Sequence, residues 1–203
     1  MDNLFNNKYR IPSARLQSWN YANEGMYFIT ICTKNRINYF GEIGANGLDG
    51  PTLQPTEIGK IAHSQWYKSV ELRPDMNLEL GEFVVMPNHI HGIIIIGANE
   101  YNTPRTDAIQ CTDAMRGVSN TYDTDAMHCV SNLFAPQSKN LASIIRGYKS
   151  AVTTYARKNG IEFDWQPRYH DHIIRSMDDY HRISNYIINN PAKWNADKFH
   201  QVG

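Results

Sequence analysis

Residues 84–96 read VVMPNHIHGIIII and place two histidines, His89 and His91, inside one of the most apolar windows of the chain. Pro87 and Asn88 are typical turn residues, so the window predicts two strands joined by a tight turn. The second strand, HIHGIIII, is apolar on both faces and is therefore expected at the centre of a sheet. Because side chains two residues apart lie on the same face of a strand, both imidazoles would project side by side. The pair is either two hydrogen-bonded core histidines or half of a metal site.

Hydrophobic periodicity and turn residues predict four strands and three helices around this window. The first four elements in chain order are a strand over residues 26–34, a helix over 57–71 with Thr56 as N-cap, and strands over 78–86 and 89–96. The last three are a helix ended by Asn159 and Gly160, a strand over 168–175, and a helix from the capping residue Ser176 to about Asn190. Pro167 predicts that the fourth strand lies at an edge or that the proline marks the start of the strand. The order predicts an α+β, ferredoxin-like (split βαβ, RRM-like) antiparallel sheet with helices on one face and an extra C-terminal helix.

One segment interrupts this order. Residues 99–135 are poor in Ile and Leu, and their sequence TDAIQCTDAMRGVSN is echoed by TYDTDAMHCVSN. The segment has no helical or strand period to bury, so we expect a disordered or loosely ordered insertion. At 203 residues the whole chain is long enough for one domain with its own core. The prediction is a single domain over 1–203 with an insertion at 99–135.

The composition excludes several classes of protein. Hydrophobic residues make up 41% of the chain and charged residues 20%, which excludes a wholly disordered or fibrous protein. The three cysteines are odd in number and lack CxxC spacing, so they indicate neither a disulfide framework nor a zinc ribbon. No apolar run approaches the ~20 residues that span a bilayer, and the N-terminus has no secretory signal pattern. We therefore expect a cytoplasmic protein without a membrane partner.

The formal net charge is +0, but the charge is unevenly distributed. Residues 136–175 carry seven basic residues against three acidic ones, a balance of +4, whereas residues 97–135 have a balance of −3. Arg146, Lys149 and Arg168 belong to the basic stretch and are candidates for contacts with nucleic-acid phosphates. Ordinary solvated charge would explain the same distribution.

The last predicted helix carries a polar stripe. Arg182, Tyr186 and Asn190 recur at i, i+4 and i+8, so a cation, a phenol and a carboxamide share one face. Ile183 and Ile187 flank the stripe and could pack the helix on the sheet. A half-exposed tyrosine at a helix–sheet contact, followed by an asparagine that ends the helix, would give the same pattern.

Several motifs occur in a characteristic order. MPNHIHGIII is followed by a helix with YKSAV, then by WQPRYHDHIIR and a last helix with YIINNP. In this order the motifs resemble the single-tyrosine HUH transposases, in which U is a bulky hydrophobic residue. The segments RIPSARLQSWNY and GMYFITICTKNR further resemble the REP-associated tyrosine transposase branch. The resemblance extends from about Arg10 to Phe199 and is interrupted only by the insertion.

The resemblance implies a metal-dependent single-stranded DNA endonuclease and strand transferase that acts next to DNA hairpins. His89, His91 and Asn190 would hold one divalent ion, Mg²⁺ or Mn²⁺. Tyr186 would attack phosphorus and form a 5′-phosphotyrosine, which makes the reaction a transesterification. The partner would be single-stranded or hairpin DNA, and the protein would be a monomer or a homodimer.

A second histidine pair lies on the fourth predicted strand. His170 and His172 flank Asp171, which is not a bulky apolar residue, so we assign this pair to DNA contacts or to the surroundings of the metal. Arg182 is assigned to the DNA as a cation near the nucleophile.

Two other functions would use these residues differently. A non-catalytic RRM-like nucleic-acid-binding module would need exposed aromatic residues on the sheet and would make no use of His89 or Tyr186. A zinc hydrolase would use both histidine pairs with an activated water and would never form a covalent DNA adduct.

Overall fold

The structure is a computed structural model that describes residues 4–5, 8–9, 16, 18–44, 50–102 and 138–200. The insertion predicted at 99–135 lies outside the described residues except for its first four positions. The prediction of a single domain with a loosely ordered insertion therefore stays a prediction.

The described residues form eight strands and three α-helices. The strands are β1 (Leu4–Phe5), β2 (Lys8–Tyr9), β3 (Gly25–Cys32), β4 (Gly41–Gly44), β5 (Thr52–Pro55), β6 (Leu78–Met86), β7 (His89–Ile96) and β8 (His170–Ile174). The helices are α1 (Glu57–Glu71), α2 (Leu141–Lys158) and α3 (Met177–Ile188). Short 3-10 helices cover Lys34–Arg36, Pro74–Met76 and Pro191–Ala196. Among the described residues no helix is both long and apolar enough to cross a membrane.

Four strands form the central sheet in the order β6-β7-β3-β8, and every neighbouring pair is antiparallel. This order, together with the crossover helices α1 and α2, is that of the split βαβ ferredoxin-like sheet, which confirms the predicted fold class. The apolar strand β7 lies in the interior of the sheet, and β8 lies at an edge, which is one of the two positions expected from Pro167. The β1–β2 and β4–β5 hairpins lie outside this sheet, and the sequence analysis did not predict them.

The two faces of the sheet are covered by different helices. On one face the larger core cluster joins α1 and α2 to inward-facing strand residues such as Ile29, Ile90 and Ile94. On the other face Ile183 and Ile187 of α3 belong to a smaller cluster with strand residues that include Ile93. Because side chains alternate along a strand, the residues two and four positions before Ile93 also lie beneath α3. These residues are the two histidines of β7.

The ends of the helices follow local side-chain chemistry. Thr56 Oγ1 accepts a hydrogen bond from Gly59 N at 3.1 Å, and Ser176 Oγ accepts one from Asp179 N at 3.1 Å, so both predicted N-caps are confirmed. The last helix is shorter than predicted, since α3 ends at Ile188 and Asn190 lies at its junction with the following 3-10 helix.

Candidate active site

His89 and His91 lie side by side at the start of β7, with exposed fractions of 0% and 1%. Their ring centroids are 4.6 Å apart. Burial lowers the pKa of His89 well below its ordinary value and lowers the pKa of His91 to about 3. The positive charge of Lys198 lowers both pKa values further. Both imidazoles are therefore neutral at physiological pH, as metal-ligating histidines must be.

The proton position on His89 is fixed by Asn88, which is fully buried. The Nδ2 atom of Asn88 donates to the carbonyl oxygens of Arg36 at 3.0 Å and Phe199 at 2.9 Å, so its Oδ1 must face His89 Nδ1, 2.9 Å away. Because a carboxamide oxygen only accepts hydrogen bonds, the proton of His89 lies on Nδ1. Its Nε2 keeps a lone pair, and that atom is buried without a hydrogen-bond partner among the described residues.

His91 has polar neighbours on both sides of its ring. Thr30 lies directly opposite His91 in the pairing of β3 with β7, which places Thr30 Oγ1 2.9 Å from His91 Nδ1. The hydroxyl of Tyr186 lies 3.2 Å from His91 Nε2. Phe28 stacks on the His91 ring at a centroid distance of 5.3 Å and meets the Tyr186 ring edge-on at 6.2 Å. Phe28 therefore limits the orientation of both rings.

Asn190 and Asp197 complete the cluster. Asn190 is 2% exposed, and its Oδ1 has no hydrogen-bond partner among the described residues. Its Nδ2 lies 3.5 Å from Asp197 Oδ2. One ligand atom each from His89, His91 and Asp197 lies within 4.8 Å of the others. Neutral imidazoles, a carboxylate and an unpaired carbonyl oxygen together fit a divalent ion.

Asp197 was missed by the sequence analysis. It follows the 3-10 helix Pro191–Ala196, and no period or motif marks it as a member of the site. Phe199 was missed as well, although its ring lies 4.6 Å from the His89 ring between centroids. The sequence showed that Pro191 ends a helix, but it did not show that the chain then returns to the histidines.

Tyr186 is 39% exposed on α3 and faces a cavity of about 890 Å³. Burial is the main cause that raises the pKa of its hydroxyl, and the charge of Asp197 raises that pKa further. A hydrogen bond with Asn190 acts in the opposite direction. The phenol is therefore protonated at physiological pH and needs a nearby cation or proton acceptor to act as a nucleophile.

The cavity brings together most of the residues singled out in the sequence. These lining residues are His91, Arg168, His170, His172, Arg182, Tyr186 and Asn190. Three further cations that were not singled out also line it, namely Arg36, Lys193 and Lys198. Asp197 is the one acidic residue among the lining residues that the structure describes. The wall of the cavity is therefore strongly basic, which favours a polyanionic ligand.

The second histidine pair is divided between two environments. His172 Nε2 lies 2.8 Å from Asp179 Oδ2, and Arg182 Nη2 also pairs with the Asp179 carboxylate. The hydrogen bond from His172 and that from Arg182 lower the pKa of Asp179, in that order of size. Asp179 thus connects β8 to α3, whereas His170 is exposed at the cavity.

Two of the predicted DNA contacts lie elsewhere. Arg146 is exposed on α2 and is not among the residues that line the cavity. Lys149 Nζ donates to the carbonyl oxygens of Gln166 at 2.8 Å and Arg168 at 3.2 Å. The ammonium of Lys149 therefore contacts the loop before β8 instead of the cavity.

The sheet and the site define an α+β protein in which two buried histidines on a central strand face a tyrosine on a C-terminal helix. The structure of the REP-associated tyrosine transposase bound to a REP hairpin is similar, with a TM-score of 0.51 over 93% of this chain and 77% of that chain. The sequence identity of the pair is 19%, so the likeness shows a shared fold. At the level of the fold it confirms the resemblance seen in the motifs.

In sequence, the chain is 34% identical over 189 residues to an uncharacterized protein of Haemophilus influenzae. The match covers 93% of this chain and 92% of that protein, so the chain belongs to the same family as the Haemophilus influenzae protein. No family model matches the chain.

Proposed function

We propose that this protein is a single-tyrosine transposase, a metal-dependent endonuclease and strand transferase that cuts single-stranded DNA next to hairpins. The observation that carries the proposal is the 3.2 Å contact between the Tyr186 hydroxyl and His91 Nε2, beside the unpartnered Nε2 of His89. A potential nucleophile and two potential metal ligands thus lie at one end of a basic cavity.

The proposed substrate follows from the cavity and from the fold. Arg36, Arg168, Arg182, Lys193 and Lys198 line the cavity and would attract the phosphates of a DNA strand. The REP-associated tyrosine transposase of similar fold was solved with a REP hairpin bound. Single-stranded or hairpin DNA is therefore the proposed partner, with the protein acting as a monomer or a homodimer, and the cytoplasm stays the expected location.

The proposed metal site consists of His89, His91 and either or both of Asp197 and Asn190. Imidazole ligands favour Mn²⁺, while cellular abundance favours Mg²⁺, so the cofactor is one of these two ions. A bound ion would polarise a non-bridging oxygen of the scissile phosphate. Thr30 Oγ1 can accept a hydrogen bond from a protonated His91 Nδ1, which would leave Nε2 of this histidine as the ligating atom.

In the proposed reaction the phenolic oxygen of Tyr186 forms a bond to phosphorus, and the bond from phosphorus to the 3′ oxygen of the leaving strand breaks. The phenol loses its proton and the leaving oxygen gains one, so the products are a 5′-phosphotyrosine and a free 3′-OH. Arg182 lies one helical turn before Tyr186 at the cavity wall, where its guanidinium, paired with Asp179, would be available to the scissile phosphate. The 3′-OH of another strand can reverse the step, which is strand transfer.

The RRM-like alternative conflicts with one observation. That function needs an open sheet face with exposed aromatic residues. Here α3 packs on part of the face opposite α1 and α2, and Phe28 of β3 lies against His91 and Tyr186 at the wall of the cavity. The ring of Phe28 is thus already engaged by the site residues, which a non-catalytic module would not use.

Labelled single-stranded hairpin DNA, incubated with the protein and Mn²⁺ or Mg²⁺ and separated on a denaturing gel, tests the proposal. We expect a covalent protein–DNA band that disappears with a chelator and in Tyr186→Phe. Metal-dependent cleavage without any covalent band would support the zinc hydrolase instead. Binding without cleavage under all metal conditions would support the non-catalytic module.

A further inference from the structure

The loop that precedes β8 is attached to the end of β3. Gln166 N donates to Cys32 O at 2.9 Å, and Thr33 pairs with Trp165 in an isolated antiparallel bridge. Gln166, Pro167 and Arg168 all line the basic cavity. The loop is therefore a fixed part of the cavity wall.

Arg168 has an unusual backbone conformation in this loop. Its φ angle is 69°, in the left-handed region, which residues other than glycine rarely adopt because the Cβ atom approaches the following carbonyl oxygen. Such a conformation persists only where the surrounding structure determines it, and it is typical of functional sites. The side chain of Arg168 is exposed at the cavity.

Lys149 on α2 supplies the support for this conformation. Its ammonium donates to the carbonyl oxygens of Gln166 at 2.8 Å and Arg168 at 3.2 Å, on both sides of Pro167. Trp165 Nε1 donates back to Lys149 O at 3.1 Å. Two carbonyl oxygens that converge without a cation would repel each other, so the ammonium stabilises this path of the chain. The Lys149 side chain is half-buried, and this burial lowers the pKa of its ammonium.

We propose that Lys149 is a positioning residue for DNA: it holds the loop of residues 166–168 so that the Arg168 guanidinium is presented to a phosphate in the cavity. Lys149 itself makes no phosphate contact in this arrangement. The inference rests on the proposed function, because it assumes that the cavity binds DNA. This proposal replaces the simpler interpretation of the basic residues 136–175, in which Lys149 and Arg168 each contact the DNA independently.

A double-mutant cycle on DNA binding separates the two arrangements. Affinity for labelled single-stranded hairpin DNA is measured by fluorescence anisotropy over a range of salt concentrations, with a chelator present to prevent cleavage. The variants are Lys149→Met, Arg168→Ala and the double variant. We expect each single variant to lose roughly fivefold or more in affinity, and the double variant to bind no more weakly than Arg168→Ala.

The salt dependence of the DNA affinity gives a second measure of the number of phosphate contacts. Loss of one phosphate contact on a single strand lowers the slope of log affinity against log salt by about 0.7. We expect that decrease in Arg168→Ala and no further decrease in the double variant. A multiplicative loss of affinity together with a second decrease of about 0.7 would show that Lys149 contacts a phosphate directly, and this would overturn the inference.

Two controls separate positioning from a general loss of stability. Lys158→Met removes an exposed lysine near the end of the same helix and should leave binding unchanged. Lys149→Arg keeps donors for both carbonyl oxygens and should restore most of the affinity. Trypsin cleavage after Arg168 in the DNA-free protein should be faster in Lys149→Met than in the wild type, because the loop is released; equal rates would contradict the role of Lys149.

The outcome is also separable from the proposed function. If Arg168→Ala binds DNA as tightly as the wild type, the loop does not contact DNA and the inference fails. The covalent adduct of Tyr186 would still form in that case, so the proposed reaction is decided by its own assay.

Discussion

The hydroxyl of Tyr186 lies 3.2 Å from Nε2 of His91, although the two residues are 95 positions apart in the chain. The other nitrogen of His91 faces Thr30, so Nε2 is the nitrogen through which this histidine would bind a metal. One lone pair cannot serve both the phenol and an ion. If His91 bound a metal, the phenol would have to move away from its Nε2 and toward the cavity.

Tyr186→Phe is expected to abolish the covalent adduct while it retains DNA binding. Only the attacking oxygen is lost, and the metal no longer competes with a phenol for His91, so Mn²⁺ should bind at least as tightly as in the wild type. Adduct formation on a denaturing gel and Mn²⁺ titration by calorimetry measure the two effects. Tyr180→Phe on the same helix is the matched control and should form the adduct normally. An adduct that survives in Tyr186→Phe would remove this residue from the role of nucleophile.

His89→Ala and His91→Ala should each abolish metal-dependent cleavage of single-stranded DNA, with losses of roughly a hundredfold or more. His172→Ala should only weaken it, because the imidazole of His172 contacts Asp179 and not the buried cluster. Cleavage rates under matched metal concentrations measure the difference. Equal losses in the three variants would show that the two histidine pairs do not differ in the way proposed.

Asn88→Ala should lower the affinity for Mn²⁺ by about 10–100-fold, because the group that holds the proton on His89 Nδ1 is lost. Nitrogen-15 NMR of the metal-free protein shows directly which nitrogen of the His89 ring carries the proton. The wild type should show His89 protonated on Nδ1, whereas Asn88→Ala should show a mixture of tautomers. Asn189→Ala, at an exposed position near the site, is the control and should change neither quantity. A wild-type His89 protonated on Nε2 would contradict the proposed geometry.

The stability of the metal-free protein should fall as the pH falls below about 6.5. The pKa of His91 is lowered from 6.5 to about 3, and that of His89 is lowered as well, so the unfolded state binds more protons than the folded state in this window. The stability is fully present above pH 6.5 and declines by up to about 1.4 kcal/mol per pH unit for each histidine. Denaturant unfolding between pH 7 and 4.5 measures the slope, and His91→Gln should reduce it. A slope that is the same in both proteins would mean that His91 is not buried as a neutral imidazole.

Deletion of residues 103–134 should leave folding intact and DNA affinity unchanged or slightly higher, since the deleted segment is acidic and would repel phosphates. The cut should begin after Asn102, because Asn102 Nδ2 donates to Gly97 O at 3.0 Å. Tyr101 and Lys139 both pair with Asp75, so a short linker can join the two sides of the deletion. Thermal unfolding and anisotropy measure the outcome. A large fall in the unfolding temperature would show that the segment is structural.

The sequence alone determined the features that depend on neighbours along the chain. The bounds of α1 and β6, the caps at Thr56 and Ser176, and the shared face of His89 and His91 follow from periodicity and capping chemistry, which act over a few residues. The order of these elements then limited the sheet to few topologies, and the predicted one is observed.

Only the tertiary structure decided which side chains meet across long stretches of sequence. The alternation of side chains along β7 did not predict which helix would pack over His89 and His91. The predicted end of the last helix did not predict that Asp197 would lie next to them. The periodicity of α2 placed Lys149 off the apolar face. It did not show that the Lys149 ammonium would contact the loop of residues 166–168. Such contacts depend on the packing of whole elements against one another, and a local pattern carries no information about that packing.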